Sequence, residues 1–94
     1  MKSNVSELIR VYHPGVTLAE KLEEMGMSVQ EFATQVSKPE KTIFAVINGS
    51  SSITSDMADS FESVTRIPAS FWLRKQQIFD EYSSHRLRAW NVKH

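Results

Sequence analysis

Few residues in this chain have the type and spacing that catalysis requires. There is no cysteine, and no glycine-rich loop is present that could hold a phosphate. The spacing of Glu20, Glu23 and Glu24 is typical of a solvated helix face. The three histidines are His13, His85 and His94, and they do not have the spacing of metal ligands. We therefore expect no enzyme activity, no cofactor and no metal site.

The composition is that of one small domain with balanced charge. The chain has 94 residues, of which 40% are hydrophobic, and its 11 Lys and Arg residues equal its 11 Asp and Glu residues. Positive charge is concentrated near the end, because five basic but only two acidic side chains lie within residues 74–94. The charges of Lys2, Glu7 and Arg10 argue against a signal peptide or membrane span. We expect a soluble, cytoplasmic protein without membrane contact.

Turn-forming residues divide the chain into five predicted helices. Leu18, Leu22 and Met25 form one apolar stripe that ends at Gly26, and Thr54 is a suitable N-cap for a fourth helix. A fifth helix is predicted from residues 68–70 to about Tyr82. Since no segment alternates with period two, the sequence predicts an all-α fold. The boundary residues are Pro14, Gly15, Gly26, Pro39, Gly49 and Pro68.

The second and third helices are closely joined within residues 28–49. Ser28 and Glu31 form a capping box, and the third helix is predicted to run from Pro39 to Ile47. Small Ala33 allows the third helix to cross closely. The predicted inward residues are Phe32, Ala33, Val36, Ile43, Val46 and Ile47. This spacing fits a helix-turn-helix unit, but it also fits a helical hairpin that merely packs.

The turn of this unit departs from the commonest pattern. Ser37 stands where many such motifs have glycine, and Lys38 follows where an apolar residue is common. Serine adopts the left-handed conformation only at some energetic cost. We therefore expect the turn to differ in detail from the commonest one.

Six short motifs occur in order along the chain: HPG at residues 13–15, GMS at 26–28, KPEKTI at 38–43, ING at 47–49, IT at 53–54 and IPASFWL at 67–73. In this combination the sequence resembles the HigA-type antidotes of bacterial addiction modules, which belong to the Xre, or lambda-repressor-like, superfamily. The resemblance covers residues 13–82. It leaves an N-terminal arm at 1–12 and a C-terminal tail at 83–94.

This resemblance implies a five-helix lambda-repressor-like DNA-binding domain with the helix-turn-helix at helices two and three. It also implies a dimeric antitoxin of a type II toxin-antitoxin module. Such a protein neutralises a partner toxin, an mRNA endoribonuclease, and represses its own operon through a palindromic operator. The expected partners are double-stranded DNA, the cognate toxin and a second copy of the chain.

The exposed side of the third helix provides the candidate base contacts. The ammonium group of Lys41 can donate to the acceptor edge of guanine, and the carboxylate of Glu40 can accept a hydrogen bond from the amino group of cytosine. Phe44 or Ala45 can contact a thymine methyl group. Alternatively, Glu40 and Lys41 form only a solvated helix start. The expected DNA-binding set is Ser28, Gln30, Lys38, Glu40, Lys41, Thr42, Phe44, Ala45, Asn48 and Ser50.

Phosphate contacts are expected from the backbone N–H groups that residues 28–30 expose at the start of the second helix, and from the loop at 48–52. Members of the family usually carry Lys or Arg after the Asn-Gly pair, whereas this chain has three serines at 50–52. We therefore expect modest DNA affinity with weak salt dependence.

The fifth helix has more apolar surface than one core requires. The expected dimer interface comprises Phe71, Trp72, Ile78, Phe79 and Tyr82, and the alternative is a monomer with a wide buried face. The tail contains Arg86, Arg88, Trp90 and Lys93, and either captures the toxin or stays mobile. Val5, Leu8, Ile9 and Tyr12 have helical spacing in the arm.

Two other functions stay open: a stand-alone Xre-family regulator, and a protein-interaction domain with weakened DNA binding.

Overall fold

Five helices form the described part of the protein. The computed structural model describes the backbone of residues 11–93 and the side chains of residues 11–84, so Val5, Leu8 and Ile9 of the predicted arm lie outside it. The helices are α1 (Pro14–Met25), α2 (Val29–Gln35), α3 (Glu40–Ile47), α4 (Ser55–Thr65) and α5 (Ala69–Lys93). No strand occurs within residues 11–93, which confirms the predicted all-α fold. Within the same residues, no helix combines the length and apolarity needed to cross a membrane.

Local capping signals explain where the helices begin. Ser28 and Glu31 form the predicted capping box at α2, with N···O distances of 2.9 and 3.1 Å. Thr54 caps α4 as predicted, since its hydroxyl accepts the N–H of Met57. Gly26 ends α1 with a φ of 65°, in the predicted left-handed conformation. The helix α3 begins at Glu40, one residue later than predicted, because Pro39 has an extended backbone and is the N-cap residue.

One apolar core holds the helices together, and its centre is aromatic. The rings of Phe32 on α2 and Trp72 on α5 both pack edge-on against Phe61 of α4, at centroid distances of 5.1 and 5.5 Å. Helix α1 packs on α3 and α5, α2 packs on α3, and α4 packs on α5. The buried apolar residues are Leu18, Leu22, Phe32, Ala33, Val36, Ile43, Val46, Ile53, Met57, Ala58, Phe61 and Trp72.

The burial of Trp72 corrects the residue set expected at a dimer interface. Trp72 is 0% exposed in the single chain, so a second copy cannot reach it without opening the core. Phe79 is half-buried and packs edge-on against the ring of His13, at 4.9 Å. Phe71, Ile78 and Tyr82 remain 41–43% exposed, so the predicted interface narrows to these three.

Helix α5 is longer than the sequence pattern predicted. It continues beyond Tyr82 to Lys93, so the backbone of the predicted tail is helical almost to its end. The reason is that residues 69–94 contain neither glycine nor proline, and nothing in them terminates a helix. The side chains of Arg86, Arg88, Trp90 and Lys93 lie outside the described residues.

Candidate nucleic-acid interface

Helix α3 is anchored on one side and exposed on the other. Ile43 and Val46 are fully buried, and burial of each stabilises the fold by about 1.5–3 kcal/mol. They hold α3 against α1 and α2. The opposite side is a continuous ridge at i, i+3, i+4 and i+7, which we call the α3 ridge. It consists of Lys41, Phe44, Ala45 and Asn48.

Close backbone packing fixes the C-terminal end of α3. A Cβ atom at Gly15 would lie 1.9 Å from the carbonyl oxygen of Val46 and 2.9 Å from that of Ile47. Only glycine therefore allows the first turn of α1 to reach α3. Pro14 and Gly15 are among the boundary residues identified from the sequence, and Pro14 occupies the first position of α1. The contact with α3 had no local sequence signal.

The turn between α2 and α3 contains one left-handed residue. Ser37 has a φ of 58°, so it adopts the conformation that glycine commonly supplies in such turns. The N–H groups of Ser37 and Lys38 donate to the carbonyls of Thr34 and Ala33, at 3.2 and 3.0 Å. These bonds close the end of α2, so the turn is well defined despite the strain.

All ten candidate DNA-binding side chains are accessible to solvent. Phe44, at the middle of the α3 ridge, is 50% exposed, which is unusual for a side chain of this size. The exposed residues are Ser28, Gln30, Glu40, Lys41, Phe44, Asn48 and Ser50, and the half-buried ones are Lys38, Thr42 and Ala45.

An ion pair reduces the positive charge beside the α3 ridge. The ammonium group of Lys38 contacts the carboxylate of Asp56 on α4. Glu40 adds a negative charge next to Lys41 at the start of α3. The sequence did not reveal the pair, because its members lie 18 residues apart and meet only through the fold. The face is consequently not strongly basic.

The loop after α3 uses three of its backbone donors internally. The N–H groups of Gly49, Ser50 and Ser51 donate to the carbonyls of Val46 and Ala45, at 2.9–3.1 Å. They satisfy the end of α3, so phosphate contacts from this loop, which stay a prediction, depend on its other polar groups. The hydroxyl of Ser50 also donates to the side-chain oxygen of Asn48, at 3.1 Å.

The start of α2 also differs from the expectation in part. The N–H of Ser28 donates to the carboxylate of Glu31, so it is used within the capping box. The first-turn N–H groups of Val29 and Gln30 have no intrahelical acceptor by the geometry of a helix start. Two of the three expected donors thus have no partner within the helix.

A polar junction lies between the start of α1 and helix α5, and we define it as His13, Gln76 and Asp80. His13 is buried and caps α1, since its Nδ1 accepts the N–H of Gly15 at 2.9 Å. Gln76 is buried on α5, and its Oε1 accepts the N–H of Ile53 at 2.9 Å. Its Nε2 donates to Asp80 at 3.0 Å. The sequence did not predict this junction.

Burial determines the protonation of His13. Desolvation lowers the pKa of His13 from 6.5, although the negative charge of Asp80 and a hydrogen bond to the backbone of Ser51 act in the opposite direction. His13 is therefore neutral at pH 7. No group of His, Cys, Asp or Glu within the described part of the chain could hold a metal ion.

Residues 11–93 form five helices and no strand. Two of these helices, α2 and α3, are a capped pair whose second helix exposes a ridge, and this arrangement is that of a helix-turn-helix protein. No protein-family model matches the sequence, and no curated protein matches it. Several solved structures, however, are similar to this chain. A HigA-family addiction-module antidote protein from Coxiella burnetii is 29% identical, with a TM-score of 0.82 over 90% of this chain and 94% of that one.

Two further solved structures agree with this likeness. A candidate antidote protein of a plasmid maintenance system from Nostoc punctiforme is 29% identical, with a TM-score of 0.77 over 92% of this chain and 98% of that one. The antitoxin HigA of Pseudomonas aeruginosa, solved with the higBA promoter, is 23% identical and supports the fold, with a TM-score of 0.82 over 90% and 94%. The predicted resemblance to HigA-type antidotes is confirmed.

Proposed function

We propose that the chain is a sequence-specific DNA-binding antitoxin of a type II toxin-antitoxin module. It acts as a dimer that represses its own operon and neutralises an mRNA endoribonuclease toxin. The observation that carries the DNA-binding part is the α3 ridge, which is exposed while the buried face of the same helix is fixed to α1 and α2. This arrangement suits insertion into the major groove.

Base recognition centres on three side chains of α3. Lys41 donates to the acceptor edge of guanine, and Glu40 accepts from the amino group of cytosine. Phe44 is half-exposed and supplies apolar contact with a thymine methyl. The first-turn N–H groups of Val29 and Gln30 on α2 position the DNA backbone.

An exposed apolar stripe on α5 supports self-association. Phe71, Ile78 and Tyr82 lie at i, i+7 and i+11, which places them along one side of the helix. The Lys75 ammonium lies 5.7 Å from the centre of the Phe71 ring, so it covers part of this stripe. A pocket of about 140 Å³ adjoins it and is lined by Val11, Tyr12, Lys75 and Ile78. A second copy packed here would present two α3 ridges to a two-fold operator.

The DNA-binding proposal is tested with a labelled duplex from upstream of the chain's own reading frame. We expect binding that weakens with salt, and Lys41→Ala should reduce affinity by about 5- to 150-fold, corresponding to ~1–3 kcal/mol for one base contact. Lys21→Ala is the matched control, because Lys21 lies on α1 and pairs with Glu24 at 3.3 Å. The absence of any shift at low salt would refute the repressor function.

The antitoxin proposal is tested with the neighbouring reading frame. A short, basic protein encoded there should arrest growth when expressed alone, and co-expression of this chain should restore growth. Purified mixtures should form a stable complex in size-exclusion chromatography. If the gene has no such neighbour, a stand-alone Xre-family regulator is the better assignment.

One observation favours a second candidate, a protein-interaction domain that retains the helix-turn-helix as scaffold. The ion pair between Lys38 and Asp56, together with the loop amides that close α3, leaves few donors for phosphates. The same salt titration separates the two candidates. Only the DNA-binding antitoxin loses affinity on Lys41→Ala.

A further inference from the structure

His13 connects three parts of the fold that are distant in sequence. Its Nδ1 caps α1 through Gly15, its backbone partner Ser51 belongs to the loop after α3, and its ring packs on Phe79 of α5. Gly15 in turn touches the backbone of Val46 near the end of α3. One buried imidazole therefore lies next to the first turn of α1, the loop after α3 and helix α5.

We propose that His13 is a positioning residue that holds the first turn of α1 against the end of α3 only while its imidazole is neutral, so that acidification weakens DNA binding. The effect on DNA rests on the proposed function. The coupling between His13 and α3 does not depend on it and can be measured without DNA.

The chemistry of the cap explains the dependence on protonation. Nδ1 accepts the N–H of Gly15 through its lone pair, so in the neutral ring the hydrogen is on Nε2. A proton on Nδ1 removes this acceptor. The N–H of Nδ1 and the N–H of Gly15 would then face each other as two donors. An imidazolium at the positive end of α1 is also electrostatically unfavourable. The N–H of Gly15 then loses its partner, and the first turn of α1 is released.

The close packing transmits this release to α3. The first turn of α1 has no side chain at Gly15 to absorb a movement, because its backbone lies directly against the carbonyls of Val46 and Ile47. A shift of this turn therefore moves the end of α3 or opens a gap beside it. Asn48, the last residue of the α3 ridge, follows immediately.

One charged group faces His13 from the neighbouring helix. Asp80 on α5 attracts the imidazolium, and Gln76 holds this carboxylate in place through a 3.0 Å hydrogen bond. On its other sides His13 faces the backbone of Ser51 and the ring of Phe79. The negative charge of Asp80 therefore counteracts the effect of burial on the pKa of His13. This pKa sets the pH at which the cap opens.

The coupling is tested first by nuclear magnetic resonance on the unmodified chain between pH 7.5 and 5. The imidazole signals of His13 and the amide signals of Gly15, Val46 and Ile47 should titrate with one midpoint, which lies below 6.5. Asp80→Asn should move this midpoint to lower pH. Amide signals that do not follow His13, or a midpoint that Asp80→Asn leaves unchanged, would overturn the proposal.

The consequence for DNA is tested with the upstream duplex at the same pH values. The Kd of the unmodified chain should rise on the order of 5-fold between pH 7.5 and 5. His13→Asn should remove this dependence, since its side-chain oxygen can cap α1 but does not titrate. A chain with both His85→Asn and His94→Asn is the matched control and should keep the dependence.

The two proposals fail in different ways. If His13→Asn retains the full pH dependence, or the control chain loses it, the role of His13 is refuted while DNA binding stands. If the unmodified chain binds no DNA at pH 7.5, the proposed function fails, and the amide titration alone decides whether His13 positions α3.

Discussion

Replacement of Gly15 by alanine tests the contact that fixes α3. The added Cβ would lie 1.9 Å from the carbonyl oxygen of Val46, whereas a C–H···O contact needs about 3.3 Å. The two backbones must therefore separate by roughly 1.4 Å, and no change of rotamer can relieve the overlap. Overpacking of this kind costs about 3 kcal/mol, and the better helix propensity of alanine returns at most about 1 kcal/mol. We expect a net loss of about 2–3 kcal/mol.

The assay is thermal and urea unfolding followed by circular dichroism. A loss of this size lowers Tm by about 10–20 °C for a domain of this length. Gly26→Ala is the matched control: it has a φ of 65° and no heavy atom within 4 Å of the added Cβ. Its cost is that of the backbone conformation alone, about 1 kcal/mol. The pair thus separates a steric effect from a conformational one.

Two results would contradict this reasoning. Gly15→Ala could unfold within about 2 °C of the unmodified chain, or Gly26→Ala could be the more damaging change. Either result would mean that the first turn of α1 does not lie against the carbonyls of α3, and the mechanical role assigned to His13 would fail with it.

Three further predictions concern the turn, the ion pair and acidity. Ser37→Gly should raise the free energy of unfolding by about 0.5–1 kcal/mol in urea titrations, because glycine relieves the cost of a φ of 58° but loses more entropy on folding; a loss of stability would contradict it. Asp56→Asn should free Lys38 for phosphate and steepen the salt dependence of DNA binding by about one charge, with stability changed by less than about 1 kcal/mol; an unchanged slope would argue against it. Because the folded pKa of His13 lies below 6.5, the unfolded chain takes up the proton first, so stability from this group is complete above pH 6.5 and declines as the pH falls from 6.5 toward the folded pKa. Urea unfolding at several pH values should show this decline in the unmodified chain and not in His13→Asn.

The sequence predicted the features that depend on neighbouring residues. The capping box of Ser28 and Glu31, the cap at Thr54 and the helix end at Gly26 are each set within four residues, so they could be recognised without the fold. The exposure of Phe44 followed from helical spacing in the same way. Local signals were therefore sufficient for the elements and for the outer face of α3.

Features made by distant residues could not be predicted in this way. Lys38 meets Asp56 across 18 residues, and Ile53 meets Gln76 across 23. Such pairs depend on how helices cross, which periodicity does not specify. Trp72 was assigned to an interface because α5 is apolar on more than one side, and only the packing shows which side is inward.

The hydrogen bond from Ile53 to Gln76 makes one backbone amide a reporter of α5 docking. The N–H of Ile53 belongs to no helix, so its protection from solvent exchange depends on the side chain of Gln76 and on the helix that carries it. Whenever α5 separates from the other helices, this proton exchanges with water, even if α1 to α3 stay folded. Its exchange rate therefore measures the free energy of that partial opening separately from global unfolding.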